Sequence, residues 1–114
     1  MSTITTHVLD LTRGRPAAGI VVIVERHDDG DRWTELARGS TNADGRIMDL
    51  FSASAPLSHG LYRLRFETGS YFASQEVRGL YPEVHILVTV EDPTAHYHVP
   101  LILSPYGYST YRGS

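Results

Sequence analysis

The stretch His96-Tyr97-His98-Val99-Pro100-Leu101-Ile102-Leu103 decides how this chain is read. Its alternation fits a strand. Period two then sets Tyr97, Val99, Leu101 and Leu103 on one face and His96, His98, Pro100 and Ile102 on the other. The first face reads as core. The second leaves two imidazoles beside a proline and an isoleucine, and apolar residues exposed around polar ones mark a surface covered by a ligand or a partner. Ile4 to Leu11 repeats the arrangement, with Ile4, Thr6 and Val8 opposite Thr5, His7, Leu9 and Leu11. If both strands lie in one sheet, its outer face gathers His7, His96 and His98 among aliphatic side chains. A poorly solvated imidazole that titrates near neutrality suits general acid–base work.

Working outward, short β-branched and aromatic runs recur between Gly, Pro, Asn and Asp clusters, the pattern of an all-β sandwich or barrel. Ile20 to Glu25 is an apolar run that suits a central strand, with Trp33 to Ser40 as its partner across the turn at His27 to Asp31. Asn42-Ala43-Asp44-Gly45 is a strong turn signal and Arg46 follows it directly. Leu61 to Phe66 alternates, with Tyr62, Leu64 and Phe66 on one face; Val84 to Val90 and Tyr106 to Tyr111 complete the strands. Asp49 to Ala55 is expected to form one helical turn, capped by Asp49 and ended before Pro56. A longer helix is expected over Ser70 to Val77, with Thr68 or Ser70 as cap and Phe72 and Glu76 one turn apart.

The 114 residues suffice for one core, so residues 1–114 form a single domain. The absence of cysteine excludes disulfides, thiolate nucleophiles and Cys-ligated zinc, and the absence of lysine excludes a Schiff base. A formal net charge of -3 gives no basic footprint for nucleic acid or an anionic membrane. Neither a signal-peptide pattern nor an apolar run near membrane length is found, so a soluble cytoplasmic protein is expected. His27, His59 and His85 read as ordinary structural or surface residues. His96 and His98 permit a metal reading, with His7 as a third nitrogen, but no carboxylate has matched spacing, so no metal is expected. No GxSxG elbow and no phosphate-cradling glycine loop occur.

Thr5 to Asp10 (TTHVLD), Asp44 to Arg46 (DGR), His96 to Pro105 (HYHVPLILSP) and Tyr106 to Ser114 (YGYSTYRGS) together resemble the family of 5-hydroxyisourate hydrolases, the transthyretin-related enzymes of urate catabolism. The resemblance spans the whole chain, and the Tyr-Arg-Gly-Ser ending carries most of its specificity. One departure is Ile102, where leucine is common. The resemblance implies a prealbumin/transthyretin-like sandwich of two four-stranded sheets with one short helix, assembled as a homotetramer from two dimers. It implies an active site in the channel between dimers and hydrolysis of 5-hydroxyisourate to 2-oxo-4-hydroxy-4-carboxy-5-ureidoimidazoline without a cofactor.

His7, Arg46, His98 and Ser114 match the family's catalytic set, and Leu9, Pro100, Ile102 and Tyr111 would line the pocket. In this reading His98 is the base that activates water, and His7 is its partner or orienter. Arg46 holds the heterocycle and stabilises developing oxyanion charge. Ser114 closes the pocket through its hydroxyl or a terminal carboxylate. Three rivals stand beside this reading: a transthyretin-like carrier without turnover, a structural β-sandwich without a ligand, and a metal-dependent hydrolase.

Overall fold

A computed structural model describes residues 3–47, 50 and 57–114. In chain order the elements are β1 (Thr3–Asp10), β2 (Arg15–Pro16), β3 (Val21–His27), β4 (Trp33–Ser40), β5 (Gly60–Phe66), α1 (Thr68–Ser74), β6 (Val84–Val90), β7 (His96–Ser104) and β8 (Gly107–Thr110). They build two four-stranded sheets, ordered β2-β1-β7-β8 and β4-β3-β5-β6. This is the expected two-sheet sandwich with one short helix. The core-facing residues follow from alternation: Ile4 and Val8 of β1 and Leu101 and Leu103 of β7 belong to the same core as Val22 and Val24 of β3 and Tyr62, Leu64 and Phe66 of β5. Each such aliphatic side chain contributes about 1.5–3 kcal/mol by leaving water. The apolar run of β3 is continuous because even its outward residue Ile23 is covered, lying between its cross-strand neighbours Arg38 and Arg65.

Three expectations are corrected. The helix starts at Thr68 and ends at Ser74, earlier than Ser70 to Val77. Thr68 is not the cap, because its hydroxyl donates to the Tyr81 carbonyl at 2.9 Å, and Ser70 lies inside the helix. Nor do Phe72 and Glu76 share a helical face. Glu76 takes φ 57, and the N–H groups of Glu76 and Val77 bond back to Ala73 and Phe72 at 3.0 and 2.9 Å. That is a Schellman closure with glutamate where glycine is usual. The turn expected over Asp49 to Ala55 lies outside the described residues except for Leu50, which is buried in the core.

The second correction concerns the end of β1, which stops at Asp10 rather than Leu11. Asp10 points into the protein, 2% exposed, where its carboxylate accepts the Tyr71 hydroxyl at 2.6 Å and the Arg13 N–H at 3.0 Å. These bonds tie the helix to the turn after β1. Tyr71→Phe leaves this carboxylate short of a partner and is expected to cost about 1.5–3 kcal/mol, the worth of a hydrogen bond to a charged group. A urea midpoint lowered without change in m would show it, and an unmoved midpoint would refute it.

The third concerns Pro100 and the last strand. Pro100 is expected exposed on the outer face; it lies on that face but is buried, opposite His7 on β1 and bonded through its carbonyl to the Thr110 hydroxyl at 2.7 Å. In a strand a residue's N–H and C=O point to the same neighbour, so proline lacks its donor on the β8 side. The ladder accordingly stops at Thr110, not Tyr111. The chain leaves the sheet for two residues and returns where the Gly113 N–H bonds the His98 carbonyl at 2.8 Å.

Candidate active site

Strands β1 and β7 are parallel neighbours, in a register that sets Thr3 beside His96, Thr5 beside His98, His7 beside Pro100 and Leu9 beside Ile102. All these residues share the sheet's outer face. Arg46 reaches it from the Asn42–Gly45 turn, whose shape is set locally: the Asn42 side-chain oxygen accepts the N–H groups of Asp44 and Arg46 at 2.9 and 3.1 Å. Gly45 has φ 75, and its carbonyl accepts the Val8 N–H at 2.8 Å, which locks Arg46 into a backbone bridge with His7. Arg46, Ile47, Thr5, His96, His98 and Ser114 surround an open cleft of about 410 Å³. That volume suits one small heterocycle.

His98 is the most constrained group of the cleft. Its Nδ1 lies 2.8 Å from the Thr5 hydroxyl, which also lies 3.0 Å from His96 Nε2, and the two imidazoles are nearly parallel with centroids 6.4 Å apart. Gly113 is pressed on the same ring: a Cβ there would stand 2.5 Å from His98 Cδ2. Burial lowers the His98 pKa below its ordinary 6.5, and the charges of Arg46, His96 and His7 push it the same way. His98 is therefore neutral at pH 7 and able to accept a proton. Beside it stands a guanidinium suited to a developing oxyanion. Among the described residues, no group of three His, Asp or Glu side chains is placed to hold a metal ion.

The cleft brings Arg46, His98 and Ser114 together. His7 does not line the cleft; it is joined to Arg46 through a backbone bridge and acts on His98 electrostatically. Leu9 and Ile102 line a separate apolar groove of about 330 Å³ on the same face, with Leu11 and Pro16, while Pro100 lies buried in the sheet between. Tyr111 is not in the cleft. It lines another groove with Leu87, Val88 and Tyr97, because the chain turns away after Thr110. Sequence reading passed over Thr5 and Gly113 as partners of His98. Neither carries a local signal, since Thr5 meets His98 only through the β1–β7 register and Gly113 only through the returning C-terminal segment.

The geometry agrees with what similar proteins are. The 5-hydroxyisourate hydrolase of Salmonella dublin is 46% identical over 110 residues, covering 95% of this chain and 78% of that protein. The solved structure of Klebsiella pneumoniae 5-hydroxyisourate hydrolase superposes with a TM-score of 0.84 at 42% identity, over 98% of this chain and 99% of that one. Sea bream transthyretin in complex with thyroxine superposes with a TM-score of 0.89 at 28% identity, over 96% and 93% of the two chains. The model of the HIUase/Transthyretin family matches residues 4–113. With nearly its whole length matched, and with relatives of this identity, the chain belongs to the HIUase/Transthyretin family.

Proposed function

We propose that this protein is a 5-hydroxyisourate hydrolase of urate catabolism, opening the six-membered ring of its substrate to give 2-oxo-4-hydroxy-4-carboxy-5-ureidoimidazoline. That it is an enzyme rests on relatives named for this hydrolysis at 40–46% identity. The observation that carries the mechanism is that His98 and Arg46 line one cleft, where burial and the Arg46 charge lower the His98 pKa and favour the neutral imidazole. His98 Nε2 takes a proton from water as the water oxygen bonds to the ring carbonyl carbon. Arg46 balances the charge gathering on the carbonyl oxygen. The ring C–N bond then breaks as the proton held on His98 passes to the departing nitrogen. Ser114, at the rim of the cleft, hydrogen-bonds the substrate, and His7 holds the Arg46 turn in place and adds to the field that keeps His98 neutral.

The reading includes a homotetramer in which a second dimer covers the open side of the cleft. The apolar groove of Leu9 and Ile102, and Leu11 at 67% exposed, support a covered face there. It also includes a cytoplasmic setting and metal-independent turnover. Among the described residues no helix is long and apolar enough to cross a membrane.

The test is ultraviolet decay of 5-hydroxyisourate, made freshly from urate, with and without the protein and with and without chelator. Acceleration indifferent to chelator is expected. Arg46→Ala should lose about 10²–10³-fold in kcat, as removal of an oxyanion donor does. Removing this cation also relieves His98, so the acid limb of kcat/KM should move to higher pH. Decay at the spontaneous rate with saturable ligand binding would instead indicate a carrier, the reading favoured by the likeness to the thyroxine-bound structure.

A further inference from the structure

The hydroxyl of Thr5 stands between two imidazole nitrogens, 2.8 Å from His98 Nδ1 and 3.0 Å from His96 Nε2. A hydroxyl has one proton to give. With both rings neutral it can donate to only one of them and must accept from the other, so the protonation pattern of the pair is coupled. Either Thr5 donates to His96 Nε2 and accepts the proton on His98 Nδ1, or both directions reverse. The first arrangement leaves a lone pair on His98 Nε2. The second leaves an N–H there, and a base that already carries its proton cannot activate water.

Two features select the first arrangement. Every group acting on the charge of His98 is cationic or becomes so: Arg46 from the turn, His96 on its own strand and His7 on β1. With Nδ1 engaged by Thr5, Nε2 is the nitrogen left to serve the cleft that Arg46 also lines, and a cation there favours a lone pair over an N–H. His96 is also exposed, so in this arrangement its own Nδ1–H can be satisfied by water while its Nε2 accepts from Thr5. Arg112 donates to the His96 backbone carbonyl at 3.3 Å, not to its ring. Thr5 is half-buried on β1 and held in register with His98, so the hydroxyl is fixed rather than searching for its partners.

We propose that Thr5 is a positioning residue that holds His98 in the tautomer with its proton on Nδ1, using His96 as the acceptor of the hydroxyl proton. This inference rests on the proposed hydrolase reading for its effect on rate, but not for its effect on the tautomer. As His98 becomes an imidazolium in the reaction, its Nδ1–H still has the Thr5 oxygen to bond, which steadies the charge. A proton gained by His96 at Nε2 would remove the acceptor on which the arrangement depends.

The decisive variants are Thr5→Val, which keeps the branched shape without the hydroxyl, and Thr5→Ser, which keeps the hydroxyl. Thr5→Val is expected to lower kcat by about 10–100-fold with little change in KM, and Thr5→Ser to restore most of it. Independently of turnover, ring-nitrogen ¹⁵N shifts of substrate-free protein, at a pH where both rings are neutral, should show His98 protonated on Nδ1. In Thr5→Val, Nε2–H should gain population. An unchanged tautomer in Thr5→Val, or a Thr5→Ser protein as impaired as Thr5→Val, would overturn the inference. A wild-type protein without turnover but with a Thr5-dependent tautomer would overturn the proposed function and uphold the inference.

Discussion

Replacing His98 by glutamine is expected to lower kcat for 5-hydroxyisourate opening by about 10²–10⁴-fold, the range that a general base contributes. The side chain is similar in length and still polar, so the cleft keeps its shape, and KM should change much less than kcat. The pH profile gives the sharper signature. Burial, then Arg46, His96 and His7, disfavours the imidazolium and lowers the His98 pKa. A base is lost when it protonates, so wild-type kcat/KM should fall on the acid side with a midpoint below 6.5, the ordinary value for histidine. The same shift means that between the folded pKa and 6.5 the unfolded chain binds more protons at this position than the folded one. Stability therefore declines as pH falls through that window. In His98→Gln the acid limb of activity should disappear together with the rate. A limb that survives in His98→Gln but vanishes in His7→Ala would make His7 the base instead.

How much of the fold and the site is legible in the sequence depends on whether the information is local. Alternation is local, and it placed Ile4, Thr6 and Val8 inward on β1, and Tyr62, Leu64 and Phe66 inward on β5. The sites of Arg46 and His98 were readable because each sits beside a strong local signal, an Asp-Gly turn and an alternating strand. What escaped reading was decided by partners far along the chain. Thr68 resembles a helix cap, yet its hydroxyl is engaged by Tyr81 thirteen residues on. Pro100 lies on the outer face as alternation requires, but only the way β8 ends shows how its missing N–H steers the last residues back across His98. Thr5, among several threonines of β1, is singled out solely by the parallel register that lays it against two histidines from the other end of the chain. The resemblance puts Tyr111 in the pocket, whereas the peeling of the chain after Thr110 carries it to another groove.

Gly45→Ala should be the most damaging of the glycine-to-alanine changes. The residue has φ +75, a conformation that costs an L side chain about 1–2 kcal/mol. A Cβ there would stand 2.3 Å from the Val8 carbonyl oxygen and 3.1 and 3.2 Å from Pro16 Cβ and His7 Cδ2. The first of these is backbone and cannot rotate aside; it already accepts the Ala17 N–H at 2.9 Å. The turn must therefore lift, and lifting it breaks the bond from the Val8 N–H to the Gly45 carbonyl. Strain, collision and the lost bond together should cost about 3 kcal/mol or more. Gly14→Ala supplies the control, since Gly14 has a similar φ of +66 but nothing within 4 Å of an added Cβ. It should cost only the conformational part, about 1–2 kcal/mol. The site should report the same difference. Lifting the turn carries Arg46 away from His98, so Gly45→Ala, assayed where it is still folded, should approach the kcat of Arg46→Ala, while Gly14→Ala keeps wild-type turnover. Equal urea midpoints for the two alanine variants would refute the steric argument. A stable, fully active Gly45→Ala protein would show that Arg46 does not depend on this bridge.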